Sequence, residues 1–304
     1  MRAGHASRTA EQNALFRALE WLRPERERIC DDPLAGHFLT WPFTLVARIA
    51  AIPGVGKGVS AFIDRRWPGV RPSVVARTRL IDDAIAVALD NGIEQLVILG
   101  AGFDSRAYRI PRLAAIDVFE IDHPDTQAMK RNVLERLFSA VPEHVRFVAV
   151  DFKRDDLMSA MRSAGYRESA RTFILWEGVT NYLTEAAVDS TLRWCSRAPA
   201  GSIVLFTYVH RDILTRPSAF AGTKNLFAAL ERAGESLTFG MEPDDVPQYL
   251  AERGLFLEYD VGAADYRARY YGVEARRIRG HEFYRVALAR VERTLSRGSW
   301  ARRP

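Results

Sequence analysis

QLVILGAGFDSR, residues 95–106, is the stretch of sequence from which the fold follows. In this stretch an apolar strand comes directly before a glycine-alanine-glycine turn. Further along the chain, a second apolar strand at residues 116–119 is followed by Glu120. Glycine lets the backbone approach a ligand closely because it has no Cβ atom. An acidic residue at the end of the next parallel strand can accept hydrogen bonds from both hydroxyls of a ribose. The pattern predicts a site for a nucleoside-containing cofactor, with Gly100, Gly102 and Glu120 among its contacts.

The residues around the glycine turn distinguish between classes of cofactor. A dinucleotide site usually has a third glycine and a full helix whose N-terminus faces the pyrophosphate. Here Ser105 stands at the third position, and Pro111 limits the helix to a turn or two. Asp104 places negative charge where a phosphate would bind, so a cationic ligand fits better, and S-adenosylmethionine carries a sulfonium and an ammonium. We therefore expect S-adenosylmethionine; a nicotinamide-dependent oxidoreductase and a cofactor-binding protein without turnover are the alternatives.

Apolar strands and helices alternate from residue 96 onward. Strands are predicted at residues 96–99, 116–119, 145–150, 173–176, 203–208, 255–259 and 283–291. Continuous apolar strands separated by helices indicate an α/β fold with a parallel sheet that is covered on both faces. We expect residues 1–93 to form a helical N-terminal extension and residues 94–304 a Rossmann-like core. The long segment 211–245 is a candidate lid over the site.

Composition limits the partners and the compartment. The net charge is +5 and the isoelectric point is near 9.3, but the arginines are scattered, so we expect no nucleic-acid partner. Cys30 and Cys195 are too few for a disulfide framework and match no metal motif, which predicts buried thiols in a reducing compartment. No apolar signal core or stretch long enough to span a bilayer is present. We expect a cytoplasmic protein with neither a membrane partner nor a metal.

Ligands of open α/β sheets bind beyond the carboxyl ends of the strands, where polar residues follow several of the predicted strands. Glu120 is the candidate for the ribose hydroxyls, with Asp122 as a weaker alternate. Asp151 follows the third strand and could accept a hydrogen bond from the adenine amino group. Phe152 would then lie against the adenine ring. Asp122 and Asp151 would equally well cap a helix or a turn.

A single arginine interrupts the apolar stripe of the helix that precedes the glycine turn. Arg77 shares its face with four apolar residues at +3 and +4 spacing, so it points toward the core. A buried arginine needs an anionic partner. The carboxylate of a methionine-like ligand is one candidate, and an internal salt bridge to Asp104 or Glu177 is the other. Glu177 or Asp104 would also meet the ammonium of the cofactor.

Four motifs in combination resemble the leucine carboxyl methyltransferase family, most closely its bacterial branch of S-adenosylmethionine-dependent methyltransferases. They are RTRLIDD at residues 77–83, LGAGFDSRAYR at 99–109, FEIDHP at 119–124 and EGVTNYL at 177–183. The resemblance implies a class I methyltransferase sheet with a helical N-terminal extension over the cofactor. The residue roles that it implies are Arg77 for the cofactor carboxylate, Gly100 and Gly102 for the methionine arm, Glu120 for the ribose, Asp151 and Phe152 for the adenine, and Glu177 for the amino group.

The family name implies methyl esterification of a carboxylate, although residues 211–271 show no motif that identifies a substrate. A carboxylate is ionised at neutral pH and needs no general base. A hydroxyl or amine acceptor would need one, and His123 and His210 are the candidates. Tyr182 belongs to an aromatic rim and completes the set of catalytic candidates. We expect O-methylation of a carboxylate or hydroxyl on a small molecule; the oligomeric state stays open.

Overall fold

The computed structural model describes residues 8–150 and 157–292. Its strands are β1 (Gln95–Leu99), β2 (Asp117–Asp122), β3 (Val145–Ala149), β4 (Thr172–Trp176), β5 (Ile203–Val209), β6 (Leu255–Gly262) and β7 (Tyr284–Val291). Its α-helices are α1 (Arg8–Trp21), α2 (Phe43–Ala50), α3 (Gly56–Arg66), α4 (Val70–Asp90), α5 (Arg106–Arg109), α6 (Pro124–Phe138), α7 (Leu157–Ser163), α8 (Glu185–Cys195), α9 (Asp212–Thr215), α10 (Thr223–Ala233), α11 (Val246–Ala251) and α12 (Ala263–Tyr271). The described chain is therefore helical before β1 and alternates between strands and helices after it.

The strands form one seven-stranded sheet in the order β3-β2-β1-β4-β5-β7-β6. Among the described strands, β7 is the one that runs antiparallel to its neighbours, β5 and β6. Alternate residues of β1 serve two hydrophobic cores, because Leu96 and Ile98 pack on one face of the sheet and Val97 and Leu99 on the other. Both faces are covered, which explains the continuous apolar strands. The expected α/β fold with a mostly parallel seven-stranded sheet is confirmed.

The N-terminal helices pack against the turn that follows β1. Leu15 and Leu19 of α1 share a hydrophobic cluster with Phe38 and Phe103. The rings of Phe38 and Phe103 stack with their centroids 5.4 Å apart. Since Phe103 belongs to the glycine turn, this cluster holds the helical region over the carboxyl edge of the sheet.

Cys30 and Cys195 are free and buried. Burial raises the pKa of both thiols, so both stay protonated at neutral pH. Within residues 8–150 and 157–292, no helix combines the length and the apolar character that a membrane crossing requires.

Candidate functional site

The glycine turn after β1 is tied to the end of β2. Gly100 and Gly102 adopt left-handed backbone angles, with φ of 68° and 42°. A Cβ atom on Gly100 would lie 2.4 Å from Val179 Cγ2, so packing inside the protein already requires this glycine. A Cβ atom on Gly102 would have Ala10 Cβ as its nearest neighbour, at 3.6 Å, so the backbone angle is what requires glycine there. The Gly102 N–H donates to Asp122 Oδ2 at 2.5 Å.

The acidic residue that reaches the carboxyl edge of β2 is Asp122, the alternate to Glu120, and which of the two binds the ribose stays a prediction. The Glu120 side chain lies two residues before Asp122 on the same strand and is fully buried. Its Oε2 lies 2.6 Å from Lys130 Nζ of α6. Burial raises the pKa of Glu120 to about 7, against the opposing effect of Lys130. The Asp122 carboxylate instead accepts from the backbone N–H groups of Gly102 and His123, at 2.5 and 2.6 Å. Asp122 also lies twenty residues after Gly102, so the expected spacing favoured it over Glu120.

Asp151 and Phe152 lie outside the described residues. They follow β3, which ends at Ala149 and pairs with β2. Their assignment to the adenine ring therefore stays a prediction.

Of the two internal partners considered for Arg77, the structure selects Glu177. Arg77 Nε lies 2.7 Å from Glu177 Oε1, and Arg106 Nη1 lies 2.9 Å from Glu177 Oε2. Asp104 pairs with Arg106 as well, at 2.5 Å from Nη1. Burial by itself would raise the pKa of both carboxyls, but the neighbouring cations, Arg106 first, outweigh this effect. The pKa of Asp104 is lowered to about 2, and the pKa of Glu177 is lowered below its usual range. Both acids are therefore ionised, and they face a shared set of guanidinium groups.

The ion-pair network continues from Arg106 into the N-terminal helices. Arg106 Nε donates to Asp82 Oδ1 of α4 at 2.8 Å. Ser105 Oγ and Arg17 Nε both donate to Asp32 Oδ2 at 2.7 Å. Ser105, at the position of a dinucleotide site's third glycine, thus joins the turn to the N-terminal helical region.

A cavity of about 240 Å³ lies beside this network, between α1, α4, α10 and the strand ends of β4, β5 and β7. Its walls are mainly apolar and aromatic and include Val74, Tyr182, Leu226, Leu230, Phe283 and Tyr284. Its charged lining residues are Arg8, Arg77 and Arg232, and no aspartate or glutamate of the described chain lines it. The cavity therefore suits an apolar or aromatic molecule that carries a neutral or anionic group.

Of the three catalytic candidates, Tyr182 lines the cavity and His123 does not. Burial raises the pKa of Tyr182, so its phenol stays protonated and can donate a hydrogen bond rather than accept a proton. His123 precedes α6 as its N-cap, and its Nδ1 accepts from the Asp125 N–H at 3.3 Å. This position lies beside Asp122, and the role of His123 as a base for the acceptor stays a prediction.

His210 also lies outside the cavity lining, and its role as a base stays a prediction. Its Nδ1 accepts from the Asp212 N–H at 3.1 Å, and its Nε2 lies 3.1 Å from Glu242 Oε1. Its ring packs against Phe220, with the centroids 5.7 Å apart. His210, Asp212 and Glu242 place possible metal-ligand atoms within 4.8 Å of one another. Both His210 nitrogens are already occupied by these contacts within the protein.

His281 lines the cavity and was missed by the sequence analysis. Its ring stacks on Tyr284 with the centroids 5.0 Å apart, and the Arg77 guanidinium lies 4.6 Å from the centroid of the same tyrosine. The candidate residues predicted from the sequence all followed the carboxyl ends of strands or lay on the helix before β1. Because β7 is antiparallel, its amino end reaches the edge at which its neighbour β5 terminates. The available signal was that His281 lies two residues before the last predicted strand, at residues 283–291.

The strand order, the antiparallel β7 and the polar groups at the carboxyl edge define a Rossmann-like S-adenosylmethionine-dependent methyltransferase. The chain belongs to the leucine carboxyl methyltransferase family, whose model matches residues 10–196. This membership confirms the resemblance seen in the four motifs, and S-adenosylmethionine is the cofactor of this class.

Relatives agree with this class, and a solved structure shares the fold. A protein of Streptomyces coelicolor assigned as an S-adenosyl-L-methionine-dependent methyltransferase is 34% identical over 253 residues, which cover 81% of each chain. A similarly assigned protein of Mycobacterium avium is 32% identical over 76% of this chain and 77% of its own length. The match to one of Bacillus subtilis, at 29% identity, spans 62% of that protein. A structure from Thermobifida fusca, assigned as a methyltransferase, shares the fold with a TM-score of 0.58 at 15% identity, covering 90% of this chain and 97% of its own.

Proposed function

We propose that this protein transfers a methyl group from S-adenosylmethionine to an oxygen atom, a carboxylate or a hydroxyl, of a small molecule. The observation that carries this proposal is the cavity beside Arg77, which is apolar and aromatic and is lined by arginines without a carboxylate. An amine acceptor would be attracted by acidic groups, whereas an oxygen acceptor that is anionic or becomes so is stabilised by arginines.

The charged and hydrogen-bonding side chains at the carboxyl edge of the sheet match the groups of the cofactor. Within the described residues, the side-chain hydrogen bond of Arg77 is made by Nε, which leaves its Nη groups for the cofactor carboxylate. Asp122, oriented by two backbone N–H groups, would accept from the ribose hydroxyls. Asp104 and Glu177 would face the ammonium. We keep Asp151 and Phe152 as the adenine contacts.

S-adenosylmethionine supplies a methyl group that is activated by its positively charged sulfur. The protein must align the acceptor oxygen with this group and exclude water. Leu226, Ala229 and Leu230 of α10 cover one side of the cavity, and Thr9 Oγ1 of α1 donates to Glu235 Oε2 just after α10 at 2.5 Å. These contacts support residues 211–245 as a lid on the core 94–304 and residues 1–93 as the extension that it meets.

The partners and the compartment are further parts of this proposal. A small-molecule acceptor is supported by the size of the cavity, about 240 Å³. The chain carries scattered arginines rather than a basic stripe, which favours no nucleic-acid partner. The two free, buried thiols support a cytoplasmic location.

Two measurements test the proposal. Calorimetric titration with S-adenosylhomocysteine, the demethylated product, measures cofactor binding without the need for an acceptor. Incubation with S-adenosylmethionine and a matched panel of aromatic acids, phenols and amines, followed by mass spectrometry, measures transfer. We expect methyl esters or methyl ethers and no methylamines. Binding of NADH in preference to S-adenosylhomocysteine, or a bound cofactor with no methylated product from any compound, would contradict the proposal.

A further inference from the structure

We propose that His281 accepts the proton of the methyl acceptor, and that the acceptor is an acidic hydroxyl of the phenol or enol class. This inference rests on the proposed function and narrows its substrate class. It stands on the placement of the His281 ring, its unpartnered nitrogen and the fixed backbone that presents it.

The His281 imidazole is buried in the wall of the cavity. The residue is 6% exposed, and its Nδ1 is buried with no hydrogen-bond partner within residues 8–150 and 157–292. A buried polar group without a partner is costly, and Nδ1 is itself shielded from the cavity. The residue nevertheless lines the cavity, so a ligand bound there meets the imidazole at another atom of its ring. Its aromatic neighbours Phe283 and Tyr284 leave the ring no polar partner of their own, since both contact it ring to ring.

The backbone at His281 is held in an unfavourable conformation. Its φ is 67°, in the left-handed region that residues other than glycine rarely adopt. The buried Arg267 donates to the carbonyl of Gly280 at 2.6 Å and to Glu282 Oε1 at 3.0 Å. These hydrogen bonds fix the residues on both sides of the histidine. Such strain persists where the surroundings impose it, and it concentrates at functional sites.

The charges around His281 keep its imidazole neutral. Burial lowers its pKa well below the usual range, and Arg77 of α4 and Arg267 of α12 add to this effect. Arg77 is itself paired with Glu177 and Arg267 with Glu282, and Tyr284 stacks on the ring. A neutral imidazole has a free lone pair at neutral pH. The aromatic walls of the cavity, which include Tyr182, Phe283 and Tyr284, suit a planar unsaturated ligand, so the hydroxyl that meets the imidazole there is of the phenol or enol class.

The proposed step balances in atoms and charge. The acceptor O–H bond breaks and its proton passes to an imidazole nitrogen of His281. The acceptor oxygen forms its bond to the methyl carbon, and the carbon–sulfur bond breaks with its electron pair left on sulfur. The products are a methyl ether and S-adenosylhomocysteine, and the imidazolium then loses its proton to solvent. A carboxylate acceptor would have no proton to give and would not need His281.

The test uses two variants and two probes of similar size, 4-nitrophenol and 4-nitrobenzoate, at about pH 5.5, where the phenol keeps its proton and the benzoate is ionised. Glycine and asparagine both tolerate the backbone angle of residue 281. His281→Gly removes the ring, whereas His281→Asn can still hydrogen-bond a hydroxyl but cannot take its proton. Binding of each probe to the full-length protein loaded with S-adenosylhomocysteine is measured by equilibrium dialysis, and single-turnover methyl transfer is measured separately. His37→Asn, at an exposed histidine outside the cavity lining, is the matched control.

We expect His281→Gly to weaken 4-nitrophenol binding about tenfold while 4-nitrobenzoate binding changes less than about twofold. His281→Asn should restore 4-nitrophenol affinity yet slow its methylation about 100-fold, with His37→Asn unchanged. The inference is overturned if the loaded wild-type protein does not bind 4-nitrophenol, if both probes respond equally to the variants, or if His281→Asn transfers methyl groups at the wild-type rate. Failure of the proposed function would look different, because the wild-type protein would then not bind S-adenosylhomocysteine or would methylate neither probe.

Discussion

Arg77 Nε of α4 donates to Glu177 Oε1 at the end of β4, over a distance of 2.7 Å. The two interpretations of Arg77 from sequence, an internal salt bridge and a ligand for the cofactor carboxylate, are therefore compatible. The salt bridge uses Nε and sets the plane of the guanidinium group, while the cavity-lining position leaves its Nη groups for a ligand. This pair joins the N-terminal helices to the carboxyl edge of the sheet.

Replacing Arg77 with lysine should weaken cofactor binding. A single ammonium cannot hold Glu177 and the cofactor carboxylate together as the forked guanidinium does. We expect the dissociation constant of S-adenosylhomocysteine, measured by calorimetry, to rise about tenfold, or about 1.4 kcal/mol. Arg79→Lys on the same helix is the matched control, because Arg79 is exposed and pairs with Asp83. Equal affinities for the two variants would remove Arg77 from the cofactor site.

The carboxylate that binds the ribose can be identified by comparing Asp122→Asn with Glu120→Gln. Asparagine at position 122 would turn an amide N–H₂ toward the N–H of Gly102 or of His123, and it would lose the negative charge. We expect Asp122→Asn to weaken S-adenosylhomocysteine binding by about 1–3 kcal/mol. Glu120→Gln should change it less than about twofold, since Glu120 is fully buried against Lys130. The reverse order of effects would restore Glu120 as the ribose ligand.

The buried Glu120 should make folding stability depend on pH. Its pKa is raised to about 7 in the folded protein, against an ordinary value of 4.5. Between these two values the folded state binds more protons than the unfolded state, so stability falls as the pH rises. The free energy of unfolding of the wild type relative to Glu120→Gln should fall by roughly 2–4 kcal/mol between pH 5 and pH 8. Urea denaturation of both proteins at several pH values measures this difference, and a difference independent of pH would contradict the raised pKa.

A bulky residue on the cavity side of α10 should block the acceptor and spare the cofactor. Ala229 lines the cavity and the neighbouring Ala228 is exposed outside its lining. We expect Ala229→Trp to reduce methyl transfer at least about tenfold with unchanged S-adenosylhomocysteine affinity, because the indole fills space that the acceptor needs. Ala228→Trp should behave as wild type. If Ala229→Trp transferred methyl groups normally, the acceptor site would have to lie elsewhere.

The sequence alone determined the features of this fold that depend on residues close together along the chain. The apolar runs predicted the strands, and their uninterrupted character predicted a sheet covered on both faces. The glycine turn, Ser105 and Pro111 together favoured S-adenosylmethionine over a dinucleotide. These conclusions follow from turn geometry and side-chain periodicity, which act over a few residues.

Only the tertiary structure decided which charged groups reach the edge and which are buried. Glu120 and Asp122 lie on the same face of one strand, and it is the packing of α6, with Lys130, that buries the first and leaves the second at the end. The partner of Arg77 is one hundred residues away in the chain. His281 reaches the cavity because β7 runs antiparallel to β5, a pairing that local sequence does not specify. Burial and long-range pairing arise from the packing of the whole chain, and so they are absent from any local pattern.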